Sequence, residues 1–327
     1  MIMKILITGG SGFIGTNLVE FLANKGYVVL NFDINPPRNP EHRKFWTYGN
    51  ILNQDDIRNV LDSFSPEVIF HLAARTDLNG NSLQEYSVNF IGVENLISAL
   101  KTYNSLKKII FTSTRLVCKL GYIPKHDHDY FPDTIYGESK VLGEKVVYSA
   151  SSNFNYDFLI VRPTSIWGPW FDVPYKDFFI SILRNRYFHP DNMEITKSFG
   201  FVGNTVHQLW KLMTKDTLTS DVKSFYLADY EPINVYDFAR LIAFKSKSNR
   251  IKVIPYSVLC FFAKIGDILK KIGWQNPPLT SFRLNNLIRS MIFDMSQLSE
   301  FVGELPFNNE QGVEITLKWL SGLQKEN

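Results

Sequence analysis

The sequence predicts an α/β fold: a doubly wound parallel sheet with a smaller C-terminal α/β lobe. Three observations predict it. Short β-rich apolar runs alternate with helical patterns through the first half of the chain. A glycine-rich turn, TGGSGFIG at residues 8–15, joins the first run to the first helix, and after Pro163 the alternation gives way to a stretch richer in aromatics and proline. Repeated strand–helix–strand units with right-handed crossovers build a parallel sheet covered by helices on both faces.

Taken in order, KILIT opens the sheet and FIGTNLVEFLANKG forms the first helix, with Gly26 as its C-terminal stop. YVVLNFD is the second strand; a helical segment then runs through Leu61, and Ser65-Pro66 precedes the third strand, EVIFHLAA. NFIGVENLISALKTYN is the next helix, KKIIFTST the fourth strand, and DTIYGESKVLGEKVVYSA a helix before the apolar run ending at Pro163. Residues 1–165 are expected to form this Rossmann-type domain, with part of 200–230 returning to it, and 166–327 a discontinuous substrate lobe. The lobe holds SFYLADYEPINVYDFARLIAF, IPYSVLCFFAKIGDILKKIGW and a terminal helix, VEITLKWLSGL. The apolar face with lysines over 258–271 reads as packing within the lobe, and a resting place on a membrane surface is the other reading. The substrate is expected in the cleft between domain and lobe.

Composition narrows the function. At 327 residues, with 45% hydrophobic and 20% charged residues, the chain has the makeup of a soluble globular protein. Its 35 basic residues against 32 acidic leave a formal charge of +3 and no long basic run, which points to small-molecule partners and away from nucleic acid. Cys118 and Cys260 stand far apart without CxxC spacing, so they read as packing residues, with neither a disulfide nor a zinc site expected. No apolar stretch reaches the roughly 20 residues of a membrane span. The first strand begins almost at the N-terminus, so no leader is expected and a cytoplasmic location follows.

Three groups of residues carry chemistry. Gly9, Gly12 and Gly15 let backbone N–H groups approach a phosphate without an intervening Cβ, and the helix beginning near Phe13 adds its positive end. A pyrophosphate is the natural visitor; a plain tight turn is the competing reading. Asp33 ends the second strand where an acidic residue binds the ribose hydroxyls of NAD and repels the extra phosphate of NADP, although Arg38 and Arg43 keep NADP open. In YGESK, Tyr136 and Lys140 stand four apart on one helical face, so an adjacent ammonium and an oxidised nicotinamide would both favour the phenolate form of a group that ordinarily titrates near 10; a chance spacing on an exposed helix is the competing reading. Tyr136 would then give or take a hydroxyl proton while hydride moves. Thr114, at the end of IIFTSTR, sits where ligands bind in such sheets. HDHD at 126–129 reads as a polar lid loop, with no metal assigned, and Trp167, Trp170 and Phe171 as either core or a stacking surface.

In combination these motifs resemble an extended short-chain dehydrogenase/reductase, in the NAD-dependent epimerase/dehydratase family acting on nucleotide sugars. TGGSGFIG, Asp33, HLAA at 71–74, VNFIGVENL at 88–96, FTST at 111–114, YGESK at 136–140, RPTSIWGP at 162–169 and the closing FDMSQL match its landmarks in order. The resemblance implies that Gly9, Gly12, Phe13, Ile14 and Gly15 line the pyrophosphate, that Asp33 holds the adenosine ribose, and that Ala73 lies along the cofactor. Thr114, Tyr136 and Lys140 would take the catalytic positions, Lys140 also touching the nicotinamide ribose. It also implies a homodimer, formed by the helix after Asn89 and the one holding Tyr136.

The departures bear on the reaction. Arg115 and Leu116 stand where dehydrating relatives carry an acidic pair, which argues against dehydration and weakens a decarboxylase reading. VCK at 117–119 and Asn50 replace the family's usual VYG and an adenine-contacting Asp. Ser165 stands where relatives have Asn, and Lys197 opens KSFGFVGN in place of an Arg-Asp-Phe segment, able to meet a substrate diphosphate as a point charge. Arg283 and Arg289 lie where a second phosphate-binding Arg occurs. The reaction expected is C4 epimerisation of a nucleotide sugar through a keto intermediate, with 4-keto-sugar reduction as the alternative. A non-catalytic NAD sensor is the reading from another class, and the joint presence of Thr114, Tyr136 and Lys140 argues against it.

Overall fold

Seven parallel strands form the central sheet of the computed structural model, which describes residues 2–172, 174–215, 223–274, 277 and 279–323. They are β1 (Lys4–Thr8), β2 (Val28–Asp33), β3 (Trp46–Tyr48), β4 (Val68–His71), β5 (Lys108–Thr112), β6 (Asp157–Pro163) and β7 (Ser224–Leu227). The order across the sheet is β7-β6-β5-β4-β1-β2-β3, every neighbouring pair parallel. Strands covered on both faces must be apolar almost throughout, and Ile5, Ile7, Ile69, Phe70, Ile109 and Ile110 are fully buried accordingly. The chain walks outward from β1 to β3 and then returns to β4 on the other side of β1. That reversal opens a crevice beyond the carboxyl ends of β1 and β4, where open sheets of this kind bind ligands.

The helices of the sheet are α1 (Phe13–Asn24), α2 (Gln54–Phe64), α3 (Ile91–Leu100) and α4 (Ile135–Ala150). Their ends follow local chemistry. Gly26 takes φ +84 just past α1, and Ser65 closes α2 in the left-handed region at φ 53. Asn53 caps α2 by accepting from the N–H groups of Asp55 and Asp56.

Further along are α5 (Tyr175–Leu183), α6 (Val202–Thr214), α7 (Val235–Lys245), α8 (Tyr256–Lys271), α9 (Ser281–Ile288), α10 (Ser296–Val302) and α11 (Asn309–Leu323). The chain divides into two units. The first comprises residues 1–171, 200–229 and 294–307, so α6, β7 and α10 belong with the sheet. Within it, Asp229 accepts from Phe201 N (3.1 Å) and Asn204 Nδ2 (2.9 Å), while Trp167 and Phe171 are buried as core. The second unit comprises 172–199, 230–293 and the residues from 308 onward. There Phe188–Pro190 pairs in parallel with Lys252–Ile254, Thr196–Lys197 runs antiparallel to Ile233–Asn234, and Phe178 and Phe179 pack on Phe238.

Candidate active site

β1 ends at Thr8, and the next four residues turn the chain into α1 at the sheet's switch point. Gly9 has φ +74, and a Cβ there would lie 2.5 Å from Ala73 N. Glycine therefore lets the loop pass directly against the segment after β4, which is itself held by the Leu72 N–H donating to Thr8 O at 2.9 Å. Gly15 answers to a second internal demand, since its Cβ would fall 2.5 Å from Gly9 O and 2.6 Å from Gly10 Cα. Gly12 differs. Its φ of −73 suits any residue, and a Cβ would meet only Gly9 O, at 3.2 Å. It is the N-cap of α1, brings no capping side chain, and is followed by no acidic residue in the first turn. The leading N–H groups of α1 are thus presented beside an open backbone, the arrangement an anion requires. The sequence reading assigned all three glycines to a visitor. Packing of the chain on itself requires Gly9 and Gly15 whatever the loop binds, and Gly12 is the one whose missing Cβ the chain itself does not demand.

Asp33, at the end of β2, faces this loop. Its Oδ2 accepts from Ser11 N at 3.0 Å and its Oδ1 from Asn35 N at 2.9 Å. Burial raises its carboxyl above the ordinary value, opposed by those N–H donors and by Arg38. Arg38 donates Nε to Ser11 O (3.2 Å) and Nη1 to Trp170 O (2.9 Å), so both side chains grip Ser11. Arg43 lies over the Trp46 ring.

The second cluster lies beyond the end of β5. Lys140 Nζ donates to Thr112 O at 2.6 Å. Two residues later the Thr114 hydroxyl accepts from Leu116 N at 3.3 Å, capping a short 3-10 turn, and stands close enough to the Tyr136 phenol to favour its ionised form. Gly137 permits that meeting: a Cβ on it would stand 2.2 Å from Leu116 O. Thr134 caps α4 by accepting from Gly137 N at 3.0 Å. A Cβ on Gly143 would stand 2.5 Å from Asn89 O, so this second glycine seats α4 on the segment leading into α3. Sequence reasoning missed Asn89 as a contributor. Its amide accepts from Arg75 N (2.9 Å) and donates to Arg75 O (3.0 Å) and Ser139 Oγ (2.9 Å), stapling the segment after β4 to α4. Tyr86, 6.1 Å from the Tyr136 ring centre, was also missed, because no local pattern marks a contact across fifty residues.

Burial governs the titration of this cluster. It pushes the Tyr136 phenol up to about 12, with Thr114 pulling the other way, and lowers Lys140 to about 8 despite the Glu144 carboxylate. Lys140 is directed to the Thr112 carbonyl, and in the protein alone loss of solvent dominates the phenol; the expected shift toward the phenolate counts also on an oxidised nicotinamide. His71 pairs through Nδ1 with Thr8 Oγ1 at 2.8 Å and is held neutral, at about 3, by burial and by Lys140. That leaves Tyr136 and Lys140 as the cluster's groups for proton chemistry.

Behind Lys140, Glu144 accepts from Arg162 Nη2 (2.6 Å), Arg162 Nε (3.0 Å) and Tyr130 Oη (3.0 Å), and the Glu144 and Arg162 side chains are each only 2% exposed. Arg162 also donates to Asp127 O at 2.7 Å, and Ser224 Oγ donates to Asp127 Oδ1 at 2.8 Å. Asp129 accepts from Tyr122 Oη at 2.6 Å. The carboxylates of the HDHD segment thus anchor their own loop, and among the described residues no group of three or more His, Cys, Asp or Glu is placed to hold a metal ion.

The remaining candidates fall elsewhere. Ser165 is buried on the short strand Ser165–Trp167 of the first unit. Lys197, Arg283 and Arg289 belong to the second unit. Lys197 Nζ donates to Asn286 O at 2.6 Å, Arg283 Nη1 to Pro277 O at 3.0 Å, and Arg289 is exposed just past α9.

The strand order, with a glycine turn at its switch point, defines the class: an α/β protein of the Rossmann kind. Residues 5–216 match the model of the NAD dependent epimerase/dehydratase family, and the chain belongs to that family. It is 26% identical to a 3-beta-hydroxysteroid dehydrogenase of Mycolicibacterium neoaurum, across 98% of this chain and 92% of that one. It is 25% identical to the N-acetyl-alpha-D-glucosaminyl-diphospho-ditrans,octacis-undecaprenol 4-epimerase of Escherichia coli O157:H7, across 97% of this chain and 95% of the relative. The crystal structure of UDP-glucuronic acid 4-epimerase from Bacillus cereus, in complex with NAD, shares the fold with a TM-score of 0.75 at 21% identity, covering 99% of this chain and 98% of that one.

Proposed function

We propose that the chain binds NAD and interconverts a secondary alcohol and its ketone, acting as a 4-epimerase of a nucleotide sugar with Tyr136 as the proton-transfer group. The observation that carries this reading is the buried Tyr136 phenol near the buried Thr114 side chain, with Lys140 one turn along the same buried helix face. The open backbone at Gly12 and the uncapped start of α1 fit a pyrophosphate, and Asp33 fits the ribose hydroxyls. Asp33 sets a carboxyl group where the extra phosphate of NADP would sit and Arg38 is bonded to two backbone carbonyls, which supports NAD over NADP. When bound, an oxidised nicotinamide supplies the hydride acceptor and a positive charge. Tyr136 takes the hydroxyl proton as the alcohol is oxidised and returns it on reduction. Thr114 holds the reacting oxygen and opposes the upward pull of burial on the phenol, while Lys140 would meet the nicotinamide ribose.

A second reading has one observation in its favour. Lys197 and Arg283, the expected diphosphate anchors, each donate to a backbone carbonyl. A substrate without phosphates, such as the 3β-hydroxysteroid acted on by the relative's enzyme class, makes no demand on them. Incubating the purified protein and NAD with nucleotide sugars and a 3β-hydroxysteroid, and identifying products by NMR, separates the readings. The C4 epimer without net NADH supports the epimerase; a ketone with equivalent NADH supports the dehydrogenase. Turnover of a 4-keto sugar only with added NADH marks a reductase, and silence across the panel overturns the enzymatic reading.

A further inference from the structure

Helix α8 rests on the second unit by one narrow side. Leu259, Ala263 and Gly266 are its buried residues, and Leu259 and Ala263 pack with Leu284 of α9. Gly266 is there because the chain crosses directly over it: a Cβ would fall 1.7 Å from Leu279 O. The opposite side is apolar as well. Val258, Phe261, Phe262, Ile265, Ile268 and Ile272 are 38%, 62%, 53%, 37%, 60% and 74% exposed, and Trp274 beyond the helix end is 51% exposed. At 3.6 residues per turn the first five fall within an arc of about 120°, pointing away from the buried side. The sequence reading of this segment as lobe packing therefore holds for the inner side only. A helix packed by one side onto a globular unit ordinarily turns polar residues outward, and a continuous apolar strip in that place marks a contact surface.

Charge identifies the occupant. Residues 250–274 contain Arg250, Lys252, Lys264, Lys270 and Lys271 against a single acidic residue, Asp267, whereas the whole chain nets only +3. Lys264 and Lys271 lie on the flank of the apolar arc, and all three helix lysines are exposed. Asp267 is turned inward, its Oδ1 accepting from Ser281 N at 3.0 Å. An apolar strip edged by lysines, with an aromatic ring at its end, matches the boundary between acyl chains and anionic headgroups. A second copy of the chain fits less well, because an antiparallel two-fold contact through this strip sets each copy's lysine row beside the other's. Among the described residues no helix is long and apolar enough to cross a membrane, so the contact lies along the surface.

We propose that α8 docks the protein on an anionic phospholipid bilayer, its Phe261–Ile268 strip entering the headgroup boundary and its lysines meeting lipid phosphates. The proposal stands apart from the reaction assigned to the first unit. It is tested with the full chain by co-sedimentation with vesicles of phosphatidylcholine alone and of phosphatidylcholine mixed with phosphatidylglycerol, alongside analytical ultracentrifugation without lipid. The wild type is expected to partition onto the mixed vesicles and to bind neutral ones at least about fivefold more weakly, each lysine near the surface contributing a factor of that size. Phe261→Ser/Phe262→Ser/Ile268→Ser is expected to lose at least about tenfold in partitioning, while keeping the wild-type unfolding curve, because all three side chains are already exposed. Lys264→Glu/Lys271→Glu is expected to abolish the preference for anionic vesicles. The proposal is overturned if the wild type stays in the supernatant with both vesicle types, or if the triple variant partitions like the wild type. It is also overturned if the wild type is a dimer that the triple variant converts to monomer without any vesicle binding, which assigns the strip to a second copy.

Discussion

Replacing Gly12 by Ala asks whether the opening loop is shaped for a ligand or merely for the chain. With φ −73 and ψ 180, the backbone at Gly12 accepts an L-residue, and the new methyl meets only Gly9 O, at 3.2 Å. That contact relaxes by a few tenths of an ångström, and the change from Gly to Ala at an N-cap is small, so the cost in stability should stay near about 1 kcal/mol. The same methyl stands where a pyrophosphate would reach the N–H groups of α1. Losing or lengthening one or two charge-assisted hydrogen bonds there costs about 2–3 kcal/mol, a fall in NAD affinity of about 30- to 150-fold. Gly15→Ala is the control. Its methyl would lie 2.5 Å from Gly9 O and 2.6 Å from Gly10 Cα, both backbone atoms, so overpacking should destabilise the fold by about 1–3 kcal/mol. Urea denaturation gives the first quantity and calorimetric titration with NAD the second. The reasoning is refuted if Gly12→Ala binds NAD as the wild type does, or if it unfolds as readily as Gly15→Ala.

Two further outcomes follow from the buried charges. Glu144→Gln leaves the Arg162 guanidinium with a weakened partner at a site where both side chains are 2% exposed, so it should destabilise the protein by about 3 kcal/mol in urea denaturation; a loss below about 1 kcal/mol would contradict the account of that pair. Lys140, held at about 8 in the fold against 10.5 in the open chain, binds fewer protons folded than unfolded between those values, so its contribution to stability should rise with pH from about 8 to 10 and be absent below that window. Lys140→Met should remove that slope, and an unchanged slope would show that the lysine is not the group responsible.

The sheet was legible because its strands obey a local rule: runs such as KIIFT and EVIF are apolar on both faces, and Gly26 and Ser65 mark ends by residues that tolerate the left-handed region. The ordered motifs also put Thr114, Tyr136 and Lys140 forward from the sequence alone. What the sequence concealed depends on contacts between distant segments. Gly137 reads as an incidental residue inside YGESK, yet its missing Cβ is what brings α4 against Leu116 O. Asn89 carries no pattern of its own and acquires its role only when Arg75 and Ser139 are folded around it. Gly9 and Gly15 look like ligand-facing residues in one dimension, and the fold adds a demand that the sequence hides, since neighbouring backbone occupies the place of each Cβ. Lys197 and Arg283 show the converse: position along the chain suggested phosphate anchors, and the fold gives each a carbonyl of its own unit.

The most direct measurement compares Tyr136→Phe with the wild type for NAD affinity and for turnover of whichever panel substrate the wild type converts. Removing one oxygen from a buried ring should leave NAD binding within about twofold and lower turnover by about 10²- to 10⁴-fold, the usual range for loss of a general acid–base group. Turnover that survives the substitution would contradict the account, because the proton would then be travelling by another route.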